Sequence, residues 1–331
     1  LNLDMKGAPW LRHPIVRPLG ALALLLLAGF LLIPGFFLIE IKDGHLYGSA
    51  IDIVNRAAPL MLAAIGMTLV IATRGIDISV GAVVALSGTV AAMLAGGMPM
   101  LWALAAALGA ALLCGVWNGL LVAKAGLQPI VATLILMVAG RGLAQLLTDG
   151  QIVTVYHEPY FFLGSGFVLG LPCALYVVAA VFGGTMLMLR FTALGLFIRA
   201  VGINPAAARL AGLRTTALIV FVYVFCSACA GLAGLIVSSN IKSADANNAG
   251  MLMELDAILA VTLGGTLLSG GHFSLAGSVL GALIIQTLTY TIYAMGVPPE
   301  VNMVVKAVVV FLVCLAQSEE FKRLFRRGSP A

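Results

Sequence analysis

The side chains that could act on a solute are few, and they stand inside or beside long apolar runs. Arg141 falls within one such run, and Glu254 and Asp256 sit two residues apart at the mouth of another. Asn118, Asn247, Asn248 and Asn302 add amides, and Lys306 adds a cation near the outer end of the last run. A charge at mid-bilayer costs roughly 2.5–3.5 kcal/mol on insertion scales, so such groups face a cavity or one another. Together they offer hydrogen-bond donors and acceptors with little net charge, which suits weak binding and easy release of a neutral, hydroxyl-rich solute. For each residue taken singly, snorkelling from a span end is the competing reading.

Bond-making chemistry finds no constellation. The glycine-rich "LGGTLLSGG" at 263–271 lacks the Lys-Ser or Lys-Thr pair of a phosphate loop, so ATP hydrolysis is not expected of this chain. His13, His45, His157 and His272 are scattered without metal-ligand spacing, and no serine has a base at a recognisable distance in sequence. Cys226 and Cys229 form a C-x-x-C, but on a helix that spacing makes one apolar face and reads as packing. No cofactor or metal is expected on the chain, and an intramembrane enzyme is set aside.

These residues are carried by a chain of 331 residues that is 62% hydrophobic and 9% charged, with a mean hydropathy of +1.12. That lies outside the range of water-soluble domains and reads as an integral membrane protein. The apolar runs are continuous rather than alternating, so the expected class is all-α, not a barrel. About ten spans fit, at 19–39, 53–73, 78–96, 100–123, 129–147, 172–189, 215–238, 255–268, 275–294 and 302–317. The eighth is short and ends at Gly264 and Gly265, which predicts a broken or re-entrant element. The whole chain, 1–331, reads as one transmembrane domain, with no soluble domain between spans. The polar stretch 148–171 is expected to face outward, its Tyr156, Tyr160, Phe161 and Phe162 forming an interfacial belt or a docking lip.

Basic residues orient the spans. With 1–18 and 318–331 inside, Lys6, Arg12, Arg17, Arg74, Lys124, Arg190, Arg199, Arg209, Arg214 and the Arg-rich tail fall in the cytoplasm, and only Lys42, Arg56 and Lys242 fall opposite. The first run reads as a retained span rather than a cleaved signal. The formal charge of +5 follows from this asymmetry and needs no nucleic-acid partner.

Two breaks and one loop stand out. In "RGIDISVGAVVALSG" the expectation is a tight turn made by Gly75 and Gly81, with Asp77 and Ser79 capping the next helix. "GGTLLSGGHFSLAG", with Gly264, Gly265, Gly270 and Gly271, makes a similar break. Between 192 and 217, Asn204 is a suitable N-cap, Pro205 fits the first helical position and Gly212 a stop. That spacing predicts a cytoplasmic helix of about two turns carrying Ala207 and Arg209, flanked by Arg199, Gly202 and Arg214, too short to hold alone in water and so docked on something.

The segments "NRAAPLMLAAIGMTLVIATRGIDISVGAVVALSG", "QPIVATLILMVAGRGLAQLLTDGQIV", "LGLFIRAVGINPAAARLAG" and "ADANNAGMLMELDAILAVTLGGTLLSGG" resemble the membrane subunits of ribose-type ABC sugar importers, nearest to those importing galactofuranose. The likeness runs from 51 to 317. It implies a bacterial inner-membrane permease of the ribose/vitamin B12 type. The implied partners are a cytoplasmic ABC ATPase that uses ATP and Mg, a second permease subunit that is a related but different chain, and a periplasmic sugar-binding protein. It implies that 192–214 is the ATPase-coupling region and that the two glycine-rich breaks are inner-gate elements. The chain departs from the family pattern at Arg74, where glycine is common, and at Leu267 and Leu268, where serine and leucine are common. An ion-coupled secondary sugar transporter is the alternative, for which buried carboxylates would bind protons or sodium.

Overall fold

The computed structural model describes residues 15–42, 44–298, 301, 303–305, 307, 308 and 311. Asn302, Lys306, the segment 1–14 and the tail 318–331 lie outside the described residues. In chain order the helices are α1 (Val16–Leu32), α2 (Ser49–Ala72), α3 (Val80–Leu94), α4 (Met100–Ala123), α5 (Pro129–Leu147), α6 (Glu158–Ser165), α7 (Cys173–Phe191), α8 (Leu194–Ile203), α9 (Pro205–Leu210), α10 (Thr215–Ile241), α11 (Met253–Leu263) and α12 (Leu275–Ala294). Six of them, α2, α4, α5, α7, α10 and α12, are long and apolar enough to cross a membrane. The protein is therefore a mostly helical, multi-pass membrane protein. Helices α3, with 15 residues, and α11, with 11, are shorter. At 1.5 Å per residue they cover about 22 and 16 Å of a roughly 30 Å core, because each adjoins one of the two glycine-rich breaks.

Small residues decide how these helices pack, since lipid gives no hydrophobic drive for one helix to prefer another. Helix α2 is buried without interruption from Ala57 to Ala72, and α10 lies against it and against α3 and α4. Gly66 of α2 meets the backbone of Cys226, and Gly115 and Gly119 of α4 meet the backbones of Val224 and Val220. Cys226 and Cys229 are buried in this packing. Gly264 and Gly277 bring α11 and α12 together backbone to backbone, as does Gly281 against the Ala260 carbonyl. Helices α4, α5 and α7 instead turn large apolar side chains outward, among them Leu101, Leu113, Val138, Leu146 and Leu187.

Three short two-stranded sheets close one end. β1 (Glu40–Lys42) pairs antiparallel with β2 (His45–Tyr47), β3 (Val153–Thr154) with β6 (Ser243–Ala244), and β4 (Phe167–Val168) with β5 (Leu171–Pro172). The segment 148–171, expected as a linker, thus contains structure of its own. Its helix α6 is fastened to the end of α10: Tyr160 Oη donates to Ser238 Oγ at 2.7 Å, and Gly164 N donates to Ser239 Oγ at 2.7 Å. Tyr160 is fully buried and so leaves the expected aromatic belt, whereas Tyr156 is exposed. The first helix ends at Leu32, short of the expected 39, because the chain turns through 33–37 into β1.

Candidate functional site

Beside the loops that carry the three small sheets, the start of α3, the flank of α5 and the start of α11 line a cavity of about 500 Å³. Its lining includes Ala82, Met137, Arg141, Gln145, Asn247, Met251 and Glu254, and its size falls within the ~300–1,000 Å³ of small-molecule sites. Three sequence-predicted residues, Arg141, Asn247 and Glu254, meet here. The guanidinium of Arg141 is partly committed: its Nη1 donates to the carbonyls of Ala249 at 2.6 Å and Ala246 at 3.1 Å. Gln145, which sequence reasoning missed, donates to Asn247 Oδ1 at 2.8 Å, while Asn247 Nδ2 donates to the Gly150 carbonyl. Gln145 lies one turn beyond Arg141 on α5, and that i, i+4 relation was the signal available.

The loop 245–250 that roofs the cavity is organised by Asp245, which accepts from Asn247 N, Asn248 N and Asn248 Nδ2. Asn248 therefore braces the loop and does not appear in the cavity wall. Asp245 lies outside the spans. Burial tends to raise its pKa, but the hydrogen bonds from Asn248 and Asn247 and the charge of Arg141 outweigh that and hold it below the usual carboxylate range. Glu254 is buried, and a Cβ on Gly81 would strike its Oε2 and the Gly250 carbonyl. Gly81 is thus required for close approach rather than for a turn. Asp256 is separated from Glu254 by two residues, about 200° around the helix. It faces another cavity, of about 260 Å³, between α11 and α12.

Asn118 is fully buried and lies away from the cavity, at the first break. Its Nδ2 donates to Ser79 Oγ at 2.9 Å and reaches Asp77 Oδ1 at 3.5 Å. Ser79 N and Oγ both donate to Asp77 Oδ1, at 2.9 and 2.6 Å. This corrects the capping expectation: the Ser79 side chain makes no bond to the first N–H groups of α3, and its hydroxyl instead donates to Asp77 and accepts from Asn118. The left-handed residue of this break is likewise not a glycine but Arg74, at φ 65°. Gly75 serves a different need, since a Cβ there would lie 2.7 Å from Tyr223 Oη. In the second break Gly265, Gly270 and Gly271 all have positive φ, and Gly264 packs on Gly277.

At the same end as these breaks, the segment 192–217 folds as two helices where one was expected. The missed helix, α8, is amphipathic, with Gly195, Ile198, Val201 and Gly202 turned inward and Leu196 and Ile203 outward. Helix α9 forms where Asn204, Pro205 and Gly212 put it. Asn204 Oδ1 accepts from Ala206 N and Ala207 N, both at 3.1 Å, and Gly212 ends the turn at φ 84°. Ala208 faces the protein, and Ala206, Ala207, Arg209 and Leu210 face out. Arg209 Nε donates to Thr215 Oγ1 at 2.9 Å, and Arg199 lies over the Phe273 ring at 5.3 Å.

Residues 49–314 match the family described as branched-chain amino acid transport system / permease component. The chain is 53% identical to the galactofuranose transporter permease protein YtfT of Escherichia coli (strain K12), over 95% of this chain and 93% of that one. It is 39% identical to the fructose import permease protein FruF of Bifidobacterium longum (strain NCC 2705), over 86% and 81% of the two chains. It is 38% identical to the ribose import permease protein RbsC of Escherichia coli (strain K12), over 92% and 94%.

Proposed function

The chain belongs to the family of branched-chain amino acid transport system permease components, and from that membership together with its similarity to galactofuranose, fructose and ribose permeases we infer that it is the membrane subunit of an ATP-driven sugar importer. It is a permease and not itself an enzyme, in keeping with the relatives' names. Its cargo in this reading is a monosaccharide, galactofuranose before others. The observation that carries the sugar is the near full-length identity to the permease named for galactofuranose. The site supports the same reading, since the cavity on α5 presents the guanidinium, amide and carboxylate groups of Arg141, Gln145, Asn247 and Glu254 among apolar walls. Such a lining can exchange hydrogen bonds with sugar hydroxyls without holding them tightly.

Energy comes from outside the chain. A cytoplasmic ATPase subunit hydrolyses ATP with Mg and grips the exposed face of α9 and its neighbours, with Leu210 as the most prominent apolar contact. A second, related permease completes the path, and a periplasmic binding protein delivers the sugar at the outer end. About ten spans, with both termini cytoplasmic in the bacterial inner membrane, complete this arrangement. The glycine-rich breaks at 73–81 and 264–274 form the inner gate.

Reconstitution tests the reading. Proteoliposomes carrying the two permeases and the ATPase, with ATP inside and binding protein outside, each omitted in turn, should take up labelled galactofuranose in preference to ribose and fructose only when all are present. Arg141→Ala and Glu254→Gln should each lower uptake while leaving the assembly intact. Uptake driven by a proton or sodium gradient without ATP would overturn the importer reading in favour of an ion-coupled carrier.

A further inference from the structure

Three segments far apart in sequence converge on Arg74. Its Nη2 donates to the Ile203 carbonyl at 2.6 Å, and its Nε donates to the Ser269 carbonyl at 3.0 Å. Ile203 is the last residue of α8, and its carbonyl is free to accept because Asn204 Oδ1, not that oxygen, takes the first N–H groups of α9. A cation at a helix C-terminus is also favoured by the helix dipole. Ser269 lies in the second break. Around the guanidinium the same three segments are packed backbone to backbone. Gly271 N donates to the Ala72 carbonyl at 2.9 Å, and a Cβ on Gly202 would strike both. Gly270 lies against the Arg74 side chain. Arg199 of α8 over Phe273 provides a second tie from the coupling helices to that break.

We propose that Arg74 is a positioning residue for energy coupling, bolting the coupling helices α8 and α9 to both inner breaks so that the three segments move as one body. A push on α9 then reaches 73–79 and 264–274 directly, without passing through the long spans. The proposal rests on the coupling role assigned above to 192–214. Arginine suits the position because its planar fork can bond two carbonyls at once, which a lysine ammonium does less rigidly.

Two measurements on the full reconstituted complex test it, using Arg74→Gly and Arg74→Lys. Glycine accepts the left-handed backbone, so that variant should assemble normally. Galactofuranose taken up per ATP hydrolysed should fall roughly fivefold or more in Arg74→Gly, the size of a typical coupling free energy, and Arg74→Lys should recover part of it. Amide exchange across 264–274, measured without any sugar, should speed up in Arg74→Gly. An unchanged sugar-to-ATP ratio, or unchanged exchange in 264–274, would overturn the bolt. If the unaltered complex takes up no galactofuranose with ATP, the choice of sugar fails instead, and the exchange measurement alone judges the bolt.

Discussion

At the scale of single residues, the break before α3 shows how a buried acid can be structural. Asp77, Asn118 and Tyr223 are all buried, and among the described residues Asp77 Oδ2, Asn118 Oδ1 and Tyr223 Oη find no hydrogen-bond partner. An unsatisfied buried polar group costs about 1–3 kcal/mol. An amide at 77 keeps the acceptor that Ser79 uses and replaces Oδ2 by a donor, so Asp77→Asn should retain thermal stability in detergent and retain uptake. Asp77→Ala should lose about 1–3 kcal/mol, because Ser79 N and Oγ then lose their shared acceptor, although Asn118 keeps its bond to Ser79 Oγ. A severe loss in Asp77→Asn would mean that the negative charge itself is needed. Asp245 behaves in the opposite sense. Its pKa is lowered on folding, so its contribution is present above the ordinary carboxylate value of about 3.9 and is lost as pH falls through the folded value. Amide exchange in 246–250 should therefore be faster in Asp245→Asn than in the parent chain at neutral pH, and the difference should vanish in strong acid. Arg74 illustrates why such roles escape sequence reading. Its partners are 129 and 195 residues away, and its left-handed backbone, which costs roughly 1–2 kcal/mol, is usually assigned to a neighbouring glycine.

At the scale of elements, what was legible was local. The ranges 100–123, 129–147 and 275–294 reappear as α4, α5 and α12, because a continuous apolar run between Pro, Gly or Ser residues is its own boundary signal. The ends of α9 were legible for the same reason, since a cap is a contact between near neighbours. Helix α8 was not, because its inward face is half glycine and gains meaning only against Ala72 and Gly271. Likewise, the cavity draws on α3, α5 and α11, and no periodicity within one of them announces the others. Two predictions belong here. Asn204→Ala removes the cap of α9 at a cost of about 1 kcal/mol, which should appear as faster exchange at Ala206 and Ala207 and weaker retention of the ATPase during purification. Gly277→Ala places a Cβ against the Gly264 carbonyl, and overpacking of that kind should lower stability by about 1–3 kcal/mol in thermal unfolding.

At the scale of the whole molecule, contacts between loops sort the chain into two ends. Arg74, Ile203, Ser269 and the pairing of Gly271 with Ala72 gather 73–79, 194–214 and 264–274 at one end. The pairing of β3 with β6 and the bond from Leu46 N to the Gly170 carbonyl gather 40–48, 148–172 and 243–252 at the other. Arg74, Lys124, Arg190, Arg199, Arg209 and Arg214 lie at or beside the first end, whereas the second end has Lys42, Lys242, Arg141 bonded to the 245–250 loop and, near Lys242, Arg56 of α2. Because basic residues concentrate on the cytoplasmic side, the first end is expected to be cytoplasmic. Leu210 and Leu169 are each 92% exposed and stand at opposite ends, so they make sensitive probes. In intact cells Leu169→Cys should react with a membrane-impermeant maleimide above the level set by the parent cysteines, and Leu210→Cys should stay at that level until the membrane is opened. Reversed labelling would invert the molecule and remove α9 from the reach of any cytoplasmic ATPase. The coupling proposal would then fail along with the orientation, since both depend on the same end of α10 facing the ATP pool.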